Sequence, residues 1–301
     1  MLQTMIKFLA ALLLMAFPAS AMAADTVKLR HVLSMYADSK GGGMKKPEGV
    51  ACGPGPTVIV ADSGNGRLLK FSVQDKSLSG GEEITLPEGV VPIRLQVNSK
   101  GELFVLDGKQ RRVLRLNPDG TFKSFSPEGL STSAPVIVRS FTIDSADNVY
   151  LDDVFSGRVI VTDPSGKFLR QIDVPKDSGF ISDVAVDKRG TIFLLDCINA
   201  VVYSAGPSDT SFNPLTRDLD KYVTFPVTIA LDSQGILYLA DEHGGGIVVL
   251  QRDGKVQGRL LSAGWKDGQL RYPDQICFNG KEEAFVADRE NSRVQMFDVL
   301  R

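Results

Sequence analysis

Histidine is nearly absent. The 301 residues include only His31 and His243, so a zinc site of three histidines cannot be built. Cysteine is scarce, and Cys52, Cys197 and Cys277 leave at least one thiol unpaired. Cys197 follows an apolar run beside Asp196 and Ile198, neighbours that give no reason for a lowered pKa. No Ser/His/Asp or Cys/His order marks a nucleophile. A basic excess is lacking too. With 34 Lys and Arg against 36 Asp and Glu, the chain has no basic footprint for nucleic-acid phosphates. Beyond the N-terminal segment, no apolar run approaches the roughly 20 residues of a membrane span.

Residues 1–23 read as a secretory signal peptide. Lys7 is their only charge, Phe8 to Phe17 is apolar, and Ala21-Met22-Ala23 is a small-x-small cleavage site. The expectation is a secreted or periplasmic protein whose residues 24–301 form one domain. No cysteine near the cleavage site offers a lipid anchor.

What the chain does have is one stretch in six copies. VIVADSGNGRLLKF (Val58 to Phe71) and AFVADRENSRVQMF (Ala284 to Phe297) are the clearest. In each, an apolar run ends in Asp, four residues turn, and a second apolar run follows. The aligned acids are Asp62, Asp107, Asp153, Asp196, Asp241 and Asp288, spaced about 45 residues apart. Strand–turn–strand units at that period indicate an all-β propeller of four-stranded blades. Inner strands are expected at Gly49 to Cys52, Arg94 to Val97, Phe141 to Ile143, Val184 to Val186, Thr228 to Leu231 and Gln275 to Phe278. Cys277 stands where Ala51, Ala185 and Ala230 stand in other units. It reads as a small buried residue, and its pairing with Cys52 in the neighbouring unit stays open. The last unit stops after three strands. Val27 to Leu33 resembles Val256 to Leu261, the outer strand of the fifth unit. The N-terminal strand 27–33 is therefore expected to complete the last blade and close the ring, removing an open edge.

Each Asp ends a strand where its carboxylate can accept backbone N–H bonds. Arg67, Arg112, Arg158 and Arg293 follow five residues later, suited to charge-assisted pairs. Val201 and Gly246 stand in that place in the fourth and fifth units, where the turn is held differently or freed for a ligand. The pattern Asp-x-x-Asn-x-Arg-Val/Leu, as in Asp62, Asn65, Arg67, Leu68 and Asp288, Asn291, Arg293, Val294, resembles the NHL repeat. The resemblance covers the whole chain after the leader and implies a six-bladed propeller in which these Asp and Arg are structural.

NHL propellers are mostly interaction scaffolds, and the first expectation is a non-catalytic module binding a protein of the envelope or extracellular space. A cation-dependent hydrolase or lyase working in the channel is the alternative. Lactonase-like propellers hold a cation there with Glu, Asn and Asp, and Glu48, Asp183 and Asp274 are the candidates in this chain. Otherwise no cofactor is expected. The third reading is a structural subunit of an envelope complex. The turns after the aligned Asp residues and the loops before the inner strands share one face. They gather Lys109, Gln110, Arg111, Phe155, Asn199, His243, Arg289 and Glu290, with Trp265 close by. Phe155 and Trp265 are either partner-seeking aromatics or packed beneath their own loops.

Overall fold

Six antiparallel four-stranded sheets form the blades of a β-propeller. The computed structural model describes residues 26–131, 133–216 and 218–301, and the stretch read as a signal peptide lies outside them. Blades 1 to 5 run in chain order from inner to outer strand, and each inner strand contacts the next around the ring. In blade 6 the order is Pro273–Phe278, Glu283–Asp288, Arg293–Leu300 and then Lys28–Met35. The N-terminal strand therefore supplies the outer edge of the last blade. Its Met35 is fully buried with Val50 and Phe285, which ties it to blades 1 and 6 together. Asp298 adds a charged clasp, accepting from Arg30 of that strand and from Lys76 of blade 1. Among the described residues no helix is long and apolar enough to cross a membrane.

The second strands carry the packing. Leu103–Asp107, Ile192–Asp196 and Leu237–Asp241 are buried at every position, because each is covered by a blade on both faces. A disulfide joins Cys52 to Cys277 across 225 residues of chain and links the inner strands of blades 1 and 6. Cys197 is free and buried, and burial beside Asp196 pushes its thiol up, away from reactivity.

Most inner strands begin earlier than the apolar pattern indicates. Blade 2 starts at Pro92, blade 3 at Val138, blade 4 at Ile181, blade 5 at Pro226 and blade 6 at Pro273. A β-bulge explains the difference. The register slips between Pro92 and Arg94, Val138 and Ser140, Ile181 and Asp183, Pro226 and Thr228, and Pro273 and Ile276. One extra residue per strand breaks the alternation from which the strand is read.

The six aligned aspartates are all fully buried. Every one accepts a backbone N–H from the loop leading into its own blade's inner strand: Lys45, Val91, Ile137, Gly179, Thr224 and Arg271 in turn. The second partner varies. Arg67, Arg158 and Arg293 reach back through Nε to Asp62, Asp153 and Asp288 at 2.8, 3.2 and 2.7 Å. Arg112 stays 3.8 Å from Asp107 and is more exposed. In blade 4 the Asn199 amide bonds Asp196, and in blade 5 Arg259 arrives from the outer strand to meet Asp241 at 2.6 Å. A Cβ on Gly244 would lie 2.3 Å from that guanidinium and one on Gly246 3.0 Å, so the glycines leave room for Arg259. The departures at Val201 and Gly246 are thus turns held by other side chains. The fourth residue after each Asp is left-handed, including Arg111 at φ 53° and Ala200 at φ 51°.

These contacts set an order of stability losses. Asp288→Ala removes the shared acceptor of Arg293 Nε, the Asn291 and Gln295 amides and the Arg271 N–H, and should cost more than about 3 kcal/mol. Asp107→Ala releases a more exposed Arg112 and should cost about 1–3 kcal/mol. Chemical denaturation of both variants checks the ranking, and equal losses would contradict it.

Removing residues 26–35 should expose the edge of Arg293–Leu300 and cause aggregation. Light scattering reads the outcome. Unchanged solubility and melting temperature would refute closure by this strand.

Candidate functional site: the mouth of the channel

The bulges do more than lengthen strands. Each re-aims one side chain at the end of the inner strand, as bulges beside functional sites do. Ile93, Arg139, Ser182, Val227 and Asp274 occupy this position in blades 2 to 6, Glu48 precedes the unbulged inner strand of blade 1, and all six are half-buried. Beneath them Gly49, Arg94, Ser140, Asp183, Thr228 and Gln275 form a polar layer across the channel. Arg94 meets Asp183 at 2.9 Å and Thr228 at 3.3 Å. Ser140 also donates to Asp183. Gln275 bridges to blade 2, accepting from the Leu95 N–H at 2.9 Å and donating to its carbonyl at 2.6 Å. Below this layer lies a cavity of about 200 Å³, ringed by Cys52, Val97, Ile143, Val186, Leu231 and Phe278.

Electrostatics single out the mouth. Asp274 loses hydration beside Glu48, and its carboxyl is pushed up to about 7. Burial also raises Glu48, with Glu242 adding and Arg289 opposing. Burial pushes Asp183 up, and Arg94 and Ser140 pull it back. Asp152 is 1% exposed, its Oδ2 has no hydrogen-bond partner, and burial pushes its carboxyl to about 7. Asp152 pairs with Ser140 across the ladder, so both side chains project to the same face of blade 3. That face borders blade 4, where Asp183 adds to the shift.

Glu48, Asp183 and Asp274 do lie at the channel, yet they do not fit a divalent cation. Both Asp183 oxygens are taken, Oδ2 by Arg94 and the Ile229 N–H, Oδ1 by Ser140 and the Val184 N–H. The Arg94 guanidinium already supplies the positive charge there and would repel another. Among the described residues no three His, Cys, Asp or Glu side chains converge as a metal site.

The residues singled out on the rim separate into groups. Arg111 and Arg289 come within electrostatic reach of Glu48 at the mouth. Arg289 is also paired with Glu242 and lies over the Tyr272 ring. His243 stacks on Phe225 at 4.8 Å with Tyr272 edge-on, forming an aromatic wall. Asn199 is spent on Asp196 and the Asp177 carbonyl. The Lys109 N–H bonds Asp107, and its side chain is exposed. Phe155 is 59% exposed and Trp265 72%, so neither packs beneath its loop. Sequence reasoning passed over Asp152 and Arg139. The signal for Asp152 is the doublet Asp152-Asp153, where the other units place Ala61, Leu106, Leu195, Ala240 and Ala287 before the aligned acid.

No family model matches the chain, and no curated protein matches it. Solved structures do. A virginiamycin B lyase from Staphylococcus aureus is 13% identical, covering 91% of this chain and 100% of that one at a TM-score of 0.61. A gluconolactonase from Xanthomonas campestris is 14% identical over 92% and 96%, at 0.66. A protein of unknown function from Bacteroides thetaiotaomicron is 16% identical over 91% and 76%, at 0.67. At these identities the likeness establishes a shared propeller fold. Two of the three are enzymes by name.

Asp152 gives the mouth a pH signature. Its carboxyl titrates near 3.8 ordinarily and near 7 in the fold, so the native state binds the proton more tightly. Stability should fall as pH rises between those values, and the full penalty, up to about 4 kcal/mol, is present above 7. Asp152→Asn should therefore stabilise the protein at pH 8 and have little effect at pH 4, read by urea denaturation. A uniform loss at both pH values would contradict the assignment.

Proposed function

We propose that the chain is an exported, NHL-type propeller that works as a non-catalytic binding module for another protein of the cell envelope or extracellular space. The partner docks on the face holding the turns after the aligned aspartates. One observation carries this reading. Of the twelve large apolar side chains exposed among the described residues, nine lie on that face: Tyr36, Val91, Val154, Phe155, Phe180, Ile198, Tyr222, Trp265 and Tyr272. Exposed aromatics beside arginines, here Arg111, Arg139 and Arg289, are the composition of a protein interface. Variable turns on a fixed scaffold are where specificity can be encoded.

The mouth favours a second reading. Asp152 and Asp274, both near neutrality, are poised for general acid–base chemistry, which suits a hydrolase or lyase that needs no cation. That chemistry would take place beneath the docking face. A structural role in an envelope complex would use the same face.

The two leading readings separate by experiment. Phe155→Ser with Ile198→Ser should abolish cross-links to the native partner, scored by mass spectrometry in the source envelope. Leu78→Ser with Leu169→Ser, away from that face, should leave them intact. The reverse pattern would overturn the docking assignment. Asp152→Asn should leave the cross-links in place. Their loss in that variant would favour the channel as the working site.

A further inference from the structure

We propose that the mouth of the channel, at the seam of blades 3 and 4, binds the carboxylate of a small, singly charged organic acid between Arg139, Phe180 and Asp152. The site shares Arg139 and Phe180 with the docking face proposed above, and its test uses no partner protein.

Arg139 is the first observation. It sits on the bulge of the blade 3 inner strand and is half-buried. Its guanidinium carbon lies 3.9 Å from the centre of the Phe180 ring, which covers one face of the plane. Among the described residues it has no hydrogen bond and no carboxylate oxygen within 4.0 Å. Its N–H edge therefore has no protein acceptor. Burial and the neighbouring Arg111 pull the guanidinium below its usual value, although it stays charged. A planar fork with a covered face and a free edge suits a carboxylate held bidentately.

Asp152 is the second, independent observation. Its Oδ2 is buried and unpartnered, in a place where the other blades carry Ala or Leu. The charged groups bearing on it are Arg139, Asp183 and Asp153. Asp183 is neutralised by Arg94, and Asp153 by Arg158. Ser140, opposite Asp152, is spent on Asp183. Protonated, Asp152 can donate to an anion held by Arg139.

The surroundings set the ligand's charge. Asp183 is offset by Arg94, and Glu48 and Asp274 stand against Arg139 and its neighbour Arg111, so a dianion leaves more uncompensated negative charge in the mouth than a monoanion does.

The linkage has a definite sign. An anion favours protonated Asp152, so affinity is full below about 7 and falls as pH rises above it.

The experiment is calorimetric titration of the full chain with sodium acetate at constant ionic strength, with chloride as the baseline. Saturable binding at pH 5.5 should weaken by about tenfold at pH 8. Asp152→Asn should bind alike at both pH values, near the low-pH affinity. Arg139→Gln should lose binding at both. Arg139→Lys, which keeps the charge without the fork, should weaken it about tenfold. The proposal fails if the native chain shows no saturable acetate binding at pH 5.5, or if Arg139→Gln binds as the native chain does. It also fails if inorganic phosphate at pH 8 binds more tightly than acetate.

Discussion

Six fully buried carboxylates tie each blade's middle turn to the loop that leads into its own inner strand. A charge in that position must be paired, so every blade brings backbone donors to it, and all but blade 2, where Asp107 Oδ2 has none, add a side-chain donor. The backbone N–H is constant, and the side-chain donor is interchangeable. Arg293 serves blade 6, Asn199 blade 4, and Arg259 reaches blade 5 from a different strand. This substitution of donors lets the repeat drift in sequence while the geometry holds.

The lead-in loops, once anchored, fix where the bulges fall, and the bulges decide what the channel mouth displays. A continuous strand would alternate its side chains between the two flanking blades. With one extra residue, Arg139 and Asp274 are half-buried at the mouth above the Arg94–Asp183 layer. That layer satisfies its own charges, and the ring above it does not. Glu48, Asp274, Asp152 and Arg139 carry charge or protons without partners, and in a native protein such groups call for a functional account.

Much of the architecture was legible because the aligned Asp positions and the apolar second strands recur in phase. Closure by the N-terminal strand was legible too, since Val27 to Leu33 repeats the outer-strand pattern of Val256 to Leu261. The inner-strand starts were not. A bulge leaves no periodic trace, and Pro92, Pro226 and Pro273 read as loop. Asp152 was hidden by its neighbour Asp153, which fills the repeat position and draws attention from the acid beside it. The donor swap in blade 5 could not be read because Arg259 lies 18 residues from Asp241, outside the local motif. The Cys52–Cys277 bond was one open pairing among three thiols until the ring placed their strands side by side.

The central claim is that the buried aspartates hold the lead-in loops as rigidly as the strands hold each other, and so preset the mouth. Amide hydrogen exchange on the native chain tests it directly. The N–H groups of Lys45, Ile137, Thr224 and Arg271 should exchange as slowly as strand amides in the same blades, while exposed Glu88 and Gly89 exchange freely. Free exchange at the four bonded amides would show that the carboxylates do not anchor the loops, and would contradict this account of the mouth.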